Sequence, residues 1–94
     1  MNNNEIIARE CIAHGIYSKE EIEKIMVEGK DLPVHTISEW SDRGYSVRKG
    51  EHACITTRLW KMAKRKTKED ETHFYLAKAF LFKNDQVERR AVNG

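Results

Sequence analysis

The chain has only two cysteines, and no apolar run approaches the length of a membrane span. A transmembrane helix needs about 20 mostly apolar residues. The opening Met1-Asn2-Asn3-Asn4-Glu5 lacks the basic segment that begins a signal peptide. Cys11 and Cys54 are too few for a disulfide framework, which favours reduced cysteines in a reducing compartment. We therefore expect a cytoplasmic protein with no membrane partner.

Sequence patterns typical of catalysis or metal binding are also missing. The chain contains no His-Glu-x-x-His, Gly-x-Ser-x-Gly or phosphate-binding-loop pattern. His52 and Cys54 provide two candidate zinc ligands, but no second pair completes the set. Cys54 has no evident base partner in the sequence, so we interpret it as a small core residue. We expect no enzymatic activity, no cofactor and no bound metal.

The charges that are present divide the chain into two halves. Residues 1–42 hold four Lys or Arg and nine Asp or Glu, a net charge of −5. Residues 43–94 hold thirteen Lys or Arg and six Asp or Glu, a net charge of +7. A basic half attracts a polyanion while an acidic half faces away. A solvated surface, or attraction between the two halves within the fold, would explain the same division.

Three short helices are predicted in the acidic part, residues 1–43. Ser18-Lys19-Glu20-Glu21 and Thr36-Ile37-Ser38-Glu39 both have the form of a capping box, which opens a helix. The first predicted helix covers Glu5–His14, the second runs from Ser18 to the glycine at 29, and the third covers Thr36–Arg43. Trp40 is the expected anchor of the third, which is too short to persist alone.

The basic part, residues 44–87, is predicted to be a β-hairpin. Its strands cover Ala53–Lys61 and Thr72–Phe82, and the charged segment Met62–Glu71 between them is predicted to be a long loop. Residues 88–94 are expected to be a frayed tail. Hydrophobic spacing predicts one core shared by Ile22, Ile25, Trp40, Ile55, Leu59, Phe74, Leu76 and Phe80. The expected fold is a single α+β domain, with three short N-terminal helices packed on a C-terminal antiparallel β-hairpin or small sheet.

Basic residues interleaved with aromatic residues form the strongest functional signal. In single-strand binding surfaces, cations follow the phosphates while aromatic rings stack on the bases. The candidate nucleic-acid-binding residues are Tyr45, Arg48, Lys49, Arg58, Trp60, Lys61, Lys64, Arg65, Lys66 and Lys68. Alternative interpretations remain open, because Trp60 also suits the core, Tyr45, beside a glycine, also suits packing, and the run of lysines also suits a solvated loop.

From Trp40 through Gln86 the chain resembles the N-terminal domain of ArdC-type antirestriction proteins. The resemblance rests on Gly44-Tyr45-Ser46-Val47-Arg48-Lys49-Gly50-Glu51 before a strand, and on Leu81-Phe82-Lys83-Asn84-Asp85-Gln86-Val87 after a variable insertion. The resemblance implies that the chain binds single-stranded DNA and is encoded by a plasmid or phage that evades host restriction.

We therefore expect a phage or plasmid accessory protein that binds single-stranded nucleic acid, with DNA as the favoured form. Sequence specificity should be low, because no residue pattern suggests readout of base edges. The alternative is a protein-interaction module that inhibits a host defence enzyme through its acidic helices, without binding nucleic acid.

Overall fold

Three α-helices and five strands make up the part of the chain that the computed structural model describes, residues 2–64 and 72–90. In chain order they are α1 (Asn3–Ala13), α2 (Lys19–Val27), β1 (Val34–His35), α3 (Ile37–Asp42), β2 (Tyr45–Val47), β3 (Ile55–Lys64), β4 (Thr72–Lys83) and β5 (Val87–Arg89). A short 3-10 helix, Asn84–Gln86, joins β4 to β5. The fold is mixed α+β with small antiparallel sheets.

Side-chain caps set where the helices begin. The Ser18 hydroxyl accepts the Glu21 N–H at 3.1 Å and the Glu21 carboxylate accepts the Ser18 N–H at 3.0 Å, which confirms the capping box of α2. Thr36 accepts the Glu39 N–H at 3.2 Å ahead of α3. The Glu39 carboxylate, however, accepts the Thr36 hydroxyl and lies 3.6 Å from His35 Nδ1. Thr36 therefore caps α3, and the Glu39 carboxylate contacts both the Thr36 hydroxyl and the His35 ring.

The larger sheet has the order β1-β4-β3, so β4 is its central strand. β3 and β4 pair over ten consecutive rows, from Ile55 opposite Leu81 to Lys64 opposite Thr72, without a bulge. β1 pairs only with the last two residues of β4. β2 and β5 form a separate two-stranded sheet. Most of β4 therefore has β3 as its one partner strand within the described residues.

The two faces of the β3–β4 hairpin pack against different parts of the chain. Residues directly opposite each other in antiparallel strands project to the same face, and alternate rows project to opposite faces. We call the face of Ile55, Leu59, Ala79 and Leu81 the inner face; it joins the larger core, which also contains Ile7, Ala8, Cys11, Ile22, Leu32 and Val34. The outer face consists of Thr56, Arg58, Trp60, Met62, Phe74, Leu76, Lys78, Phe80 and Phe82.

Trp40 anchors α3 on the outer face, at the base of the hairpin where β3 begins and β4 ends. Its indole N–H donates to the Phe82 carbonyl at 2.9 Å, and Trp40, Phe82 and Val87 form a second, smaller cluster. The ring also makes edge-to-face contacts with His35 and Tyr45, at centroid distances of 4.8 and 5.5 Å. The expectation that Trp40 is the anchor of the third helix is confirmed.

The prediction of a single core is wrong for the outer face. Ile22, Ile55 and Leu59 do share the larger core, with Ile25 packed against it, whereas Trp40 belongs to the smaller cluster. Phe74, Leu76 and Phe80 are exposed. The reason is the register, which places these three residues opposite Met62, Trp60 and Thr56 on the face that the helices leave uncovered beyond Phe82.

Other boundaries also differ from the expectation. β3 continues to Lys64, so the first three residues of the predicted loop are strand, and residues 65–71 lie outside the described residues. The predicted tail begins inside β5, which pairs with β2, while residues 91–94 lie outside the description. β1 separates α2 from α3, so the helices are not one N-terminal block. No helix in the described ranges is long and apolar enough to cross a membrane.

Candidate nucleic-acid interface

The outer face of the hairpin carries aromatic and cationic side chains in successive rows. From the base outward, the rows pair Thr56 with Phe80, Arg58 with Lys78, Trp60 with Leu76, and Met62 with Phe74. Successive rows on one face are two residues apart, or about 7 Å. Phe80, Trp60 and Phe74 are 49%, 41% and 64% exposed. Three large rings with accessible surface therefore lie along one side of two paired strands.

The cations of this hairpin have no balancing acids within its strands. Segments 55–64 and 72–83 together contain five Lys or Arg and no Asp or Glu. Arg58 and Lys78 are exposed and directly opposite each other, and neither forms an ion pair within the described residues. Like charges directly opposite each other destabilise a sheet. An anion bound between them would remove that repulsion.

The row of Arg58 and Lys78 is of the closely spaced kind. The backbone N–H and C=O of Trp60 both bond to the Asn3 side chain at the outer edge of β3, so they point away from β4. Trp60 and Leu76 are therefore a non-hydrogen-bonded pair, in which opposite residues approach most closely. Arg58 and Lys78, one row away on the same face, have the same pairing type. Lys78 Nζ lies 5.4 Å from the centroid of the Phe80 ring, a cation–π contact.

A groove of about 410 Å³ opens beside Trp60. Asn3 from α1, Ile37 from α3 and Phe80 from β4 line it, together with Lys61 and Lys78. Its volume falls within the range of about 300–1,000 Å³ that is usual for small-molecule sites. Aromatic, apolar and cationic groups thus converge where two helices meet the hairpin, together with the carboxylate of Glu39.

Arg48 and Lys49 lie in a turn that follows β2. The Arg48 carbonyl accepts the Glu51 N–H at 3.1 Å, and Gly50 has a φ of 88°. A positive φ at the third position is the signature of a type II turn and favours glycine there. The Arg48 N–H donates to the Gln86 carbonyl at 2.9 Å, which attaches the turn to the segment after β4. Both cationic side chains are exposed.

Gln86 joins the two segments on which the family resemblance rests. Its side-chain amide donates to the Glu51 carboxylate at 3.1 Å and to the His52 carbonyl at 2.6 Å. Its side-chain oxygen accepts the Lys83 N–H at 2.8 Å. Because β2 also pairs with β5, residues 44–51 and 81–87 are adjacent in the fold although they are distant in sequence.

The candidate residues predicted from the sequence occupy several places. Arg58 and Trp60 stand on the outer face, Lys61 is exposed on the inner face opposite Tyr75, and Arg48 and Lys49 occupy the turn after β2. Tyr45 is half-buried and packs on Trp40 in the smaller cluster. Lys64 is the last described residue of β3. Arg65, Lys66 and Lys68 lie outside the described residues.

The predicted set lacks the other exposed aromatic and cationic residues of the outer face, namely Phe74, Lys78 and Phe80. The spacing of aromatic residues assigned two of them to the core. Lys78 was the signal that could have found them, because an unpaired lysine at the centre of a strand face is expensive to bury. Its presence between Leu76 and Phe80 indicates that this face of β4 is open to solvent.

The two cysteines have the character of packed side chains. Burial raises the pKa of the Cys11 thiol to about 11, with a further contribution from nearby Cys54. Burial likewise raises the pKa of Cys54, whose thiol donates to the Leu81 carbonyl at 3.4 Å. Both are therefore neutral thiols at physiological pH. In the two described stretches, no three side chains of His, Cys, Asp or Glu are arranged to hold a metal ion.

Comparison with known proteins gives no match to any family model, curated protein or solved structure. A functional interpretation of this chain therefore depends on the geometry described above and on the chemistry of the exposed side chains.

Proposed function

We propose that this chain binds single-stranded nucleic acid, with low sequence specificity, through the outer face of the β3–β4 hairpin. The observation that carries the proposal is the row of Arg58 and Lys78, two cations that form no ion pair with any described residue, between rows that carry Phe80 and Trp60. Phosphates would neutralise the cations while bases stack on the rings. Each stacked base contributes about 1–3 kcal/mol in such surfaces.

A single strand suits this face better than a duplex does. Aromatic side chains on an open sheet contact the flat faces of bases, and those faces are accessible only when the bases are unstacked. A duplex could still contact the cations through its phosphates. Stacking tolerates every base because each has a π-face, which accounts for the low specificity.

Two further observations support a single-stranded DNA ligand and a role on mobile elements. The segments that resemble ArdC-type domains are joined in the fold by Gln86. Arg48 and Lys49, which belong to the first of these segments, are exposed cations in the turn after β2. We propose that the chain acts in the cytoplasm as an accessory protein of a phage or plasmid, and that both residues contact flanking phosphates.

The test is fluorescence anisotropy with labelled oligo-dT across a salt titration. Phosphate contacts on single strands give a log–log slope of roughly −0.7 per contact. Replacing Arg58 and Lys78 together with Ala should therefore flatten the slope by about 1.4. The matched control replaces Lys19 and Lys24 of α2 with Ala, which changes the net charge equally and should leave the slope unchanged.

Two results would contradict the proposal. The first is no binding of oligo-dT by the wild-type chain at high micromolar concentration and low salt. The second is equal affinity for oligo-dT and for a duplex of the same length, because the rings would then contribute nothing. A competition experiment with unlabelled duplex decides the second point.

A protein-interaction module remains the second candidate, because one exposed apolar site lies on the acidic helices. Val27, at the end of α2, is 87% exposed and stands beside exposed Met26 and Glu28. Such a site suits a host defence enzyme with an apolar patch among basic residues. A wild-type chain that protects against restriction without binding oligo-dT, and that loses this protection in a Val27→Glu variant, would favour this function.

A further inference from the structure

We infer that Asn3 is a positioning residue for the binding face: it holds β3 at Trp60 in the geometry that stacking requires. The inference rests on the proposed function of the outer face. Its starting point is a pair of hydrogen bonds across 57 positions of sequence, from the Trp60 N–H to Asn3 Oδ1 at 2.8 Å and from Asn3 Nδ2 to the Trp60 carbonyl at 3.1 Å.

Through these two bonds, the Asn3 side chain pairs with Trp60 in the way that a residue of a neighbouring strand would. A side-chain amide offers one acceptor and two donors, and can therefore pair with the N–H and the C=O of one residue in an edge strand. β3 is the edge of its sheet, and Trp60 directs both backbone groups outward. Asn3 therefore satisfies both of the backbone groups that Trp60 directs away from β4.

The helix itself does not require this side chain. Asn2 caps α1, where its side-chain oxygen accepts the Glu5 N–H at 2.9 Å. Asn3 is the first residue of the helix, and its amide is directed to the hairpin. The start of α1 is thus attached to the row of the outer face that carries Trp60, in the middle of the exposed aromatic rows.

The expected consequence is pre-organisation of the aromatic surface. Stacking requires that the Trp60 ring keep its position relative to Phe80 and to the cationic row between them. An edge strand held only by its inner neighbour samples more twist, and binding then has to order it at a cost in affinity. Asn3 also lines the groove beside Trp60, so its loss would change the wall of the same site.

The experiment compares Asn3→Ala with Asn4→Ala. Asn4 follows in the same helix, is exposed, and makes neither bond to Trp60. Asn3→Ala should weaken oligo-dT binding by about threefold to tenfold, the loss expected for one or two ordinary hydrogen bonds. The salt slope should stay unchanged because no charge is altered. Asn4→Ala should bind as the wild type does.

A second readout does not depend on the ligand. Trp40 is buried, so acrylamide quenching of tryptophan fluorescence reports mainly on Trp60. Quenching should rise in Asn3→Ala and not in Asn4→Ala, at a temperature where melting curves show both to be folded. Asn3→Gln, which moves the amide outward by one methylene, should resemble Asn3→Ala in both measurements.

The outcomes separate the two proposals. Wild-type binding together with unaffected binding by Asn3→Ala or Asn3→Gln would overturn the role of Asn3 alone. Weaker binding with unchanged quenching would also overturn it, because the loss would not act through Trp60. Absence of wild-type binding would overturn the proposed function and, with it, the binding role of Asn3.

Discussion

The inner and outer faces of the β3–β4 hairpin use apolar side chains in opposite ways. The inner face buries aliphatic and small residues such as Leu59, Ala79 and Leu81. The outer face exposes three aromatic rings, those of Trp60, Phe74 and Phe80. Aromatic side chains provide the largest apolar area for burial, so a hairpin that served only to complete a core would direct its rings inward. The contrast holds for the rows near the base of the hairpin, because Tyr75, further out on the inner face, is 45% exposed. It is the contrast expected if the outer face is the binding surface that we propose.

The boundary between covered and open surface lies within a single strand. Phe82 is 5% exposed beneath Trp40, whereas Phe80, one row further out on the same face, is about half exposed. α3 therefore covers the outer face only at the base of the hairpin. The rows beyond it have the same sheet geometry without a covering helix.

The largest expected effect concerns this covering contact. Trp40→Ala should lower the free energy of unfolding by about 3–5 kcal/mol, because it removes a buried ring and its hydrogen bond to Phe82. Chemical denaturation followed by circular dichroism measures the loss. Trp60→Ala is the matched variant on the open part of the face and should cost much less. An equal loss of unfolding free energy in the two variants would contradict the proposed boundary between covered and open surface.

The next effect compares neighbours on opposite faces of β4. Leu81→Ala should cost about 2–5 kcal/mol of folding stability, because Leu81 is fully buried in the larger core. Phe80→Ala removes more atoms but should cost about 1 kcal/mol or less, because the ring is half exposed. Thermal melts of both variants test the assignment. A larger loss for Phe80 would show that the outer face is covered in solution.

For nucleic-acid affinity, in contrast to folding stability, substitutions on the outer face should have the larger effect. Trp60→Ala should reduce oligo-dT affinity by about 1–3 kcal/mol, the contribution of one stacked base, without changing the salt slope. Ala79→Gly, on the inner face opposite Thr57, should leave affinity unchanged at a temperature where the variant is folded. Anisotropy titrations at several salt concentrations measure both quantities. A flattened slope in Trp60→Ala would mean that its loss disturbs the cations.

The smallest effect is a pH dependence beside Trp40. The neighbouring His35 imidazole, whose Nδ1 lies 3.6 Å from the carboxylate, lowers the pKa of the Glu39 carboxyl, and Thr36 adds to this, although partial burial acts in the opposite direction. A pKa that is lower in the folded than in the unfolded state gives stability above the unfolded value of about 4.3. That stability is lost as pH falls through the folded pKa. Glu39→Gln should therefore flatten the acid limb of melting temperature against pH.

The helices and the hairpin could be predicted because their signals are local. Ser18 and Glu21 form a capping box within four residues, and alternation in β3 and β4 marks both as strands. The short strands β1, β2 and β5 could not be predicted, because two or three residues carry no periodic pattern. Their pairing is set by contacts between distant segments.

The orientation of the hairpin is the part that local patterns could not provide. Both faces of β4 are apolar in the sequence, with Phe80 on one and Leu81 on the other. Period-two alternation separates the faces but does not say which one the helices cover. That choice depends on the register with β3, which pairs Leu81 with Ile55, and on where α1 crosses. The choice of candidate cations depended less on the orientation of the hairpin, because charged side chains favour solvent on either face.

The bulge-free pairing of the hairpin has a consequence for how such chains can vary in length. Ten rows in strict alternation mean that deleting one residue from an arm would carry every side chain beyond it to the opposite side. Insertions and deletions within β3 or β4 should therefore be retained in evolution when they involve two residues, because a change of two residues keeps the remaining side chains on their original faces. Single-residue insertions or deletions within the ten paired rows should be selected against for the same reason.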